Sequence, residues 1–468
     1  MLLVTVPPGF MPEKFYIIKT MIEEFLGLPC TVTEGEGHEY LLWLDNGSML
    51  AFEDHFFGQC DETAGYLTKE MLPPKVRRVK MPFAPESDLL VLYGTGDIKF
   101  TTKRMECGVD LFASAFFMLS RWEEAVVQDR DGHGRFPAES SVAVRHGFLH
   151  RPVVCEYAEF LWNLLRQLGL QQERKERKFQ YHLTHDVDFL YLWKNKKAML
   201  HNLAGDLIKR RDRKKAWQTL KRIIGVLRGR ERDPYDTFAW LMDLSEKQRV
   251  PSRFYWMSGG VTQHDRFFEI GEERAVSLLA EMERRGHVVG FHPSYASSTD
   301  ARQWNEEKAA LEQVVGQPVQ EGRQHYLRFS VPETWRIWEE AGMVCDSTLG
   351  YARYPGFRAG VCWEYPVFDV LARKTLNVRE RPLVAMEITF LDAQYLGVSE
   401  AEAYREIRKL ALVCRKYQGE FVLLWHNSTL VTQAQRDLYA QVVEDLAEMV
   451  RGEDSQNSKT LTVQELLP

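Results

Sequence analysis

From residue 179 onward the chain alternates short apolar runs with longer amphipathic stretches, and this rhythm limits the fold more than any other feature. Candidate strands are Phe179–Val187, Arg253–Met257, Val288–Phe291, Gln320–Tyr326, Val344–Ser347, Val384–Phe390 and Phe421–Trp425. Helices fill 235–247, 272–285, 304–315, 332–341 and 399–417 between them. Such alternation predicts α/β architecture with a mainly parallel sheet, because parallel neighbours need a crossover that a helix supplies. Seven strands over roughly 290 residues fit a barrel better than an open sheet.

The first part reads differently. Residues 1–175 form a smaller mixed α/β domain, and 176–468 form the second domain. Tyr40–Leu44 and Leu89–Tyr93 are short apolar runs ending at turn residues, as buried strands do. Leu111–Glu124 is long enough for one helix and apolar round most of its circumference, which places it in the core. A second helix, Glu156–Leu168, stops at Gly169, and the charged stretch Gln171–Lys178 then reads as a solvated linker.

Composition excludes several classes. With 45% hydrophobic and 27% charged residues the chain is not disordered, and it holds no apolar run of membrane-spanning length. The start Met1–Gly9 lacks a basic n-region and a small-residue cleavage site, so a cytoplasmic protein is expected. Seven scattered cysteines without a C-x-x-C pair argue against a disulfide scaffold and a thiolate zinc site.

The net charge of −6 points to no polyanion partner, yet the charge is unevenly spread. Between Leu190 and Arg232 stand fourteen Lys or Arg against three Asp or Glu, and no nucleic-acid recognition motif accompanies them. This basic insert, with Lys209–Lys215 and Lys221-Arg222 flanking Trp217, Leu220, Ile223 and Ile224, has two readings. It is a lid or arm meeting an anionic membrane or a phosphate-bearing substrate, or it is a solvated helical hairpin.

Residues with catalytic potential fall at the ends of the candidate strands. The first ends in Thr184-His185-Asp186-Val187-Asp188, and the third in His292-Pro293-Ser294. The fourth carries Arg323-Gln324-His325-Tyr326, the fifth ends in Asp346-Ser347, and the last ends in Trp425-His426-Asn427. In parallel α/β barrels the C-terminal strand ends converge on one face, where sites are built. Asp186 and Asp188 share a face of a regular strand, and two bare carboxylates so close repel unless a cation sits between them. A divalent metal held by Asp188 and His292 removes that cost and leaves Asp186 ionised as a base, and zinc accepts both ligand types. The alternative for Asp-Val-Asp is a turn or helix cap, and for His292 a satisfied core imidazole. Arg323 pairs with a carboxylate or lies on the surface; His426 acts as a general acid or is a structural imidazole.

The order Thr-x-Asp-x-Asp, His-Pro-Ser, Arg-x-x-Tyr, Asp-Ser and Leu-Leu-Trp-His resembles the five motifs of polysaccharide deacetylases, the NodB-like carbohydrate esterases. The likeness covers residues 179 to about 430. The first 175 residues resemble an uncharacterised α/β domain that precedes some bacterial deacetylases, with Phe117–Glu124 as its most recognisable piece. The resemblance implies a distorted (β/α)7 NodB-like barrel and metal-dependent hydrolysis of a non-peptide C–N bond. The implied reaction is N-deacetylation of an amino sugar in a surface polysaccharide or its cell-envelope precursor. A non-catalytic glycan-binding relic and a hydrolase of a non-sugar amide are the alternatives. By the same resemblance Asp186 is the general base, Asp188 and His292 hold the metal, and Arg323 orients Asp186. The Tyr326 N–H binds the oxyanion, His426 protonates the leaving amine, and Asp346 holds the His426 imidazole. The family's second metal histidine lies four residues after the first, where this chain has Ala296. The third ligand would then come from His185, His325, Ser294 or water. A cytoplasmic location, peripheral at the inner membrane face through the basic insert, would favour a nucleotide- or lipid-linked precursor.

Overall fold

The computed structural model describes residues 2–454 apart from 64, 266 and 267. The N-terminal part contributes β1 (Leu2–Val6), β2 (Cys30–Glu34), β3 (Glu39–Trp43), β4 (Met49–Glu53), β5 (Arg77–Val79), β6 (Leu89–Val91), β7 (Gly94–Phe100) and β8 (Arg104–Val109). Six of these make one mixed sheet in the order β2-β1-β3-β4-β8-β7, while β5 and β6 pair separately. The apolar runs at 40–44 and 89–93 fall on β3 and β6.

The single helix expected over Leu111–Glu124 is two helices, Leu111–Ser120 and Trp122–Val126. The break is at Arg121, whose φ of 55° is left-handed and costs a non-glycine residue roughly 1–2 kcal/mol. Charge pairing holds it there. Arg121 Nε donates to Glu124 Oε1 at 3.0 Å, and Arg358 Nε from the C-terminal part donates to the same oxygen at 3.0 Å. All three side chains are buried, so this segment locks the two parts of the chain together. Around the lock, Tyr16 packs on Phe368 and Phe25 on Trp363, and one apolar core runs through both sheets. The stretch 171–178 is largely exposed, as expected, but it is pinned: Lys175 N–H donates to the Leu26 carbonyl, and Arg177 lies 4.6 Å from the Trp363 ring centre. All seven cysteines are free.

The C-terminal part holds β9 (Gln180–Val187), β10 (Arg253–Trp256), β11 (Val288–Phe291), β12 (Glu321–Gly322), β13 (Cys345–Asp346), β14 (Tyr365–Asp369), β15 (Lys374–Glu380), β16 (Ala385–Met386) and β17 (Glu420–Leu424). They form one nine-stranded ladder, β14-β15-β13-β12-β11-β10-β9-β17-β16, in which only β14 with β15 is antiparallel. The hairpin β14–β15 is absent from the sequence reading because charged residues interrupt its alternation; Arg379 is paired with Glu364 and Glu24. Lys374–Met386 is a continuous stretch with pairing at both ends. Arg379 and Glu380 face Cys345 and Asp346 of β13, and Ala385 and Met386 face Leu423 and Leu424 of β17.

Two expected strands are much shorter than the sequence reading gives them. Gln320–Tyr326 reduces to β12 followed by a tight turn at His325–Leu327, where Tyr326 and Leu327 both have positive φ. Val384–Phe390 reduces to β16 followed by a helix, Glu387–Leu391. The helices between strands lie at Phe238–Lys247, Glu273–Arg284, Ala301–Val315, Glu333–Glu340 and Glu400–Lys416. Asp300 and Ser399 cap two of them by accepting from N–H groups of the first turn. The basic insert is a helical hairpin, Lys196–Ala204 and Arg213–Leu227, joined through a π-helical turn at Gly205–Lys209. No helix among the described residues is long and apolar enough to cross a membrane.

Candidate metal centre and active site

The site forms where the parallel strands end. On β9 the alternation turns Thr184 and Asp186 to one face, while His185 turns to the other and stacks on Phe254. Gly322 of β12 opposes Phe291 of β11, and a Cβ there would collide with the Phe291 carbonyl. This close approach carries Arg323 and His325 directly over the end of β11, beside His292.

Arg323 is wholly buried and its guanidinium is nearly saturated. Nη1 donates to Asp186 Oδ1 at 3.0 Å and to Thr184 Oγ1 at 2.9 Å. Nε and Nη2 donate to the Ser347 carbonyl and hydroxyl at 2.8 and 3.0 Å. The Asp-Ser stretch at the end of β13 thus serves the site through Ser347, which fixes the arginine that in turn fixes Asp186.

Asp188, His292 and His325 bring one ligand atom each to within 4.8 Å of one another. The hydrogen bonds behind the two rings decide what those atoms are. His292 Nδ1 lies 2.6 Å from the Arg323 carbonyl, and His325 Nε2 lies 2.6 Å from the His264 carbonyl. A carbonyl can only accept, so those nitrogens carry protons, and each ring in its neutral form presents a lone pair from His292 Nε2 or His325 Nδ1. These two nitrogens face each other at 2.8 Å, and Asp188 Oδ1 lies 3.3 and 3.5 Å from them. Asp188 Oδ1 is buried and accepts no hydrogen bond from the described residues. Three acceptors therefore converge with no donor between them, which fits a divalent cation. The field is consistent: burial works against the charge of Asp188, but His325 and His292 hold its carboxyl well below the usual range. Burial also works against a charged His292, yet Asp186 and Asp188 raise its pKa, whereas burial lowers that of His325.

His325 thus joins the group that Ala296 cannot complete. The other sequence candidates are occupied elsewhere. His185 is buried between the Trp425 carbonyl and Ser252, and burial depresses its pKa to about 4; the Ser294 hydroxyl donates to Glu307 at 2.6 Å.

Asp346 does not hold His426, and this expectation is corrected. Asp346 accepts from the Thr348 N–H and hydroxyl, and burial pushes its carboxyl upward beside Glu380. The partner of His426 is Glu387, whose Oε1 lies 2.8 Å from His426 Nδ1 and accepts the His426 N–H at 2.9 Å. Burial opposes the imidazolium, but Glu387 outweighs it, with Asp188 and Asp186 adding to the effect, and the pKa rises to about 9. Glu387 escaped the sequence reading because it sits inside an apolar run; a lone acid in such a run was the available signal.

Tyr326 occupies the turn beside this cluster. Its neighbours His325, Leu327 and Arg328 donate their N–H groups to carbonyls, while the Tyr326 N–H has no acceptor among the described residues. Its left-handed φ of 59° is held by the N-terminal part, since Arg135 Nη1 donates to the Tyr326 carbonyl at 2.9 Å. From the same loop His133 Nδ1 lies 3.1 Å from the Tyr295 hydroxyl, and its ring packs on Tyr326. The loop was invisible to motif reading because no spacing rule links residue 133 to a strand end in the other half.

Residues 2–170 match DUF7033, a family of unknown function. No curated protein matches the chain. Among solved structures, the chain is similar to a candidate polysaccharide deacetylase from Mycobacterium smegmatis, with 17% identity over 62% of this chain and 95% of that one and a TM-score of 0.36. It is also similar to a peptidoglycan N-acetylglucosamine deacetylase catalytic domain from Eubacterium rectale, at 11% identity, 63% and 91% coverage and TM-score 0.28. A carbohydrate esterase family 4 pseudoenzyme from Bacillus anthracis matches at 11% identity, 58% and 61% coverage and TM-score 0.30.

Proposed function

We propose that this protein is a metal-dependent hydrolase of a linear amide, and that its substrate is an N-acetylated amino sugar of a surface polysaccharide or its precursor. The supporting observation is the convergence of His292 Nε2, His325 Nδ1 and Asp188 Oδ1 beside the Arg323–Asp186 pair. In this reading the nine-stranded ladder is a distorted (β/α)7 barrel preceded by a separate domain over residues 1–175. The stretch Lys374–Met386 supports the barrel, because its two ends pair with β13 and β17 and so bring both sides of the ladder together.

Asp188, His292 and His325 would hold the ion, with zinc the favoured identity for a nitrogen-rich set with one carboxylate. A divalent ion there supplies Lewis acidity toward a carbonyl oxygen and an attacking water. The remaining steps belong to the protein. Asp186 accepts the proton of the attacking water, and the Arg323 hydrogen bond holds that carboxylate in place. The Tyr326 N–H donates to the oxygen that becomes negative as the carbonyl turns tetrahedral. His426, protonated at neutral pH and held at Nδ1 by Glu387, gives its Nε2 proton to the departing amine.

The test is release of free acetate from N-acetylglucosamine oligomers, before and after chelation and after zinc is restored. Zinc-dependent acetate release is the expected result. Full zinc loading with no acetate from any acetylated sugar, but turnover of another linear amide, would move the substrate away from saccharides.

A further inference from the structure

The basic hairpin presents an outer surface that combines exposed apolar side chains with exposed cations. Its inner face is closed: Trp193, Met199 and Ile223 form a small satellite core, backed by Leu192, Leu203 and Val226. The outer face is not. Ile208 is 75% exposed, Leu200 68%, Trp217 58% and Leu207 49%. Lys209, Arg211, Arg213, Lys214 and Lys215 are exposed around them. On the second helix Arg213, Trp217, Lys221 and Ile224 recur at helical spacing, so charge and apolar surface share one stripe. Trp217 lies with the Lys221 ammonium 5.3 Å from its ring centre. An interfacial helix places such apolar side chains and its cations together at the boundary between headgroup and acyl chain.

The hairpin is also fastened to the catalytic rim. It leaves the chain directly after Asp188, and Asn427, next to His426, donates to the Phe189 and Tyr235 carbonyls at 2.9 Å each. Arg222 Nη2 further donates to the Val431 carbonyl at 2.9 Å. Both ends of the insert are thus clamped by the segment that follows β17.

We infer that this hairpin docks on an anionic lipid bilayer, with Leu200, Leu207, Ile208 and Trp217 entering the interface and the surrounding Lys and Arg meeting lipid phosphates. Charge decides the occupant: fourteen Lys or Arg against three Asp or Glu between residues 190 and 232 suit an anionic surface, on which each cation strengthens binding by about fivefold. Given the hydrolase reading above, on which this second step rests, docking brings the active-site rim to the membrane and favours a lipid-linked saccharide as substrate.

The experiment is sedimentation of the full chain with phosphatidylcholine vesicles, with and without phosphatidylglycerol. It is repeated with the variant L207S/I208S and with K209Q/R211Q/K214Q/K215Q, all at exposed positions. Binding only to the anionic vesicles, weakened at least about tenfold in both variants, is expected. Bromine-labelled acyl chains should quench tryptophan emission in the parent and not in Trp217→Phe. Absence of vesicle binding overturns the proposal. So does equal affinity for a soluble polyanion such as heparin that L207S/I208S leaves unchanged, and so does self-association that the same variant abolishes. Vesicle binding is read without turnover, so its failure is distinct from a failure to release acetate.

Discussion

His292 Nε2 and His325 Nδ1 face each other at 2.8 Å while the opposite nitrogen of each ring is bonded to a backbone carbonyl. Two neutral imidazoles cannot bond each other in that state, since both present lone pairs. Only a proton or a metal reconciles them, and Asp188 on the third side favours the doubly charged ion.

The purified protein is therefore expected to hold about one divalent ion per chain. Loss of a second-shell partner already lowers metal affinity about 10- to 100-fold, so His325→Ala should lower it by more than about 100-fold. Elemental analysis and a competitive chelator titration measure both. His185→Gln, which alters a buried ring outside the cluster, should leave metal affinity unchanged; the reverse pattern would reassign the third ligand.

Asp186 and Asp188 stand two residues apart and should separate cleanly. Asp186→Asn is expected to keep its metal and lose activity by about 10²–10⁴-fold, the contribution of a positioned general base. Asp188→Ala should lose both. Metal content and kcat, measured on the same preparations, distinguish the two carboxylates.

The pH profile reports His426. Its pKa of about 9 exceeds the ordinary histidine value because Glu387 overcomes burial, so the acid form persists into alkaline solution. Activity should fall as pH rises through about 9, and Glu387→Gln should shift that limb toward neutral pH. Asp346→Asn should leave the limb in place, because Asp346 is bonded to Thr348 instead. Stability carries the same sign. The Glu387–His426 contribution is complete below the unfolded histidine pKa of about 6.5 and is lost as pH rises through the folded value.

Glu124 accepts from both Arg121 and Arg358 in a site closed to water. Removing one partner leaves a buried guanidinium uncompensated, so Glu124→Ala should destabilise the fold by about 3–5 kcal/mol. Urea unfolding followed by tryptophan fluorescence measures the loss. A change within about 0.5 kcal/mol would show that the network does not hold the two parts together.

The residues themselves determined the strand–helix rhythm after 179 and the placing of polar clusters at strand ends, because hydrophobic period and turn chemistry are local properties. Val288–Phe291 is read to the residue, and Asp186, Asp188, His292 and Arg323 are found where their strands end. What sequence could not decide was which side chains meet. His325 rather than a residue near Ala296 completes the triad because Gly322 lets β12 press against β11. Glu387 rather than Asp346 holds His426 because β16 stops after two residues and the chain turns into a helix at that acid. His133 and Arg135 reach Tyr326 from the other half of the chain across a shared core. Each of these contacts joins residues tens to hundreds of positions apart, where packing sets the distance and no local period can.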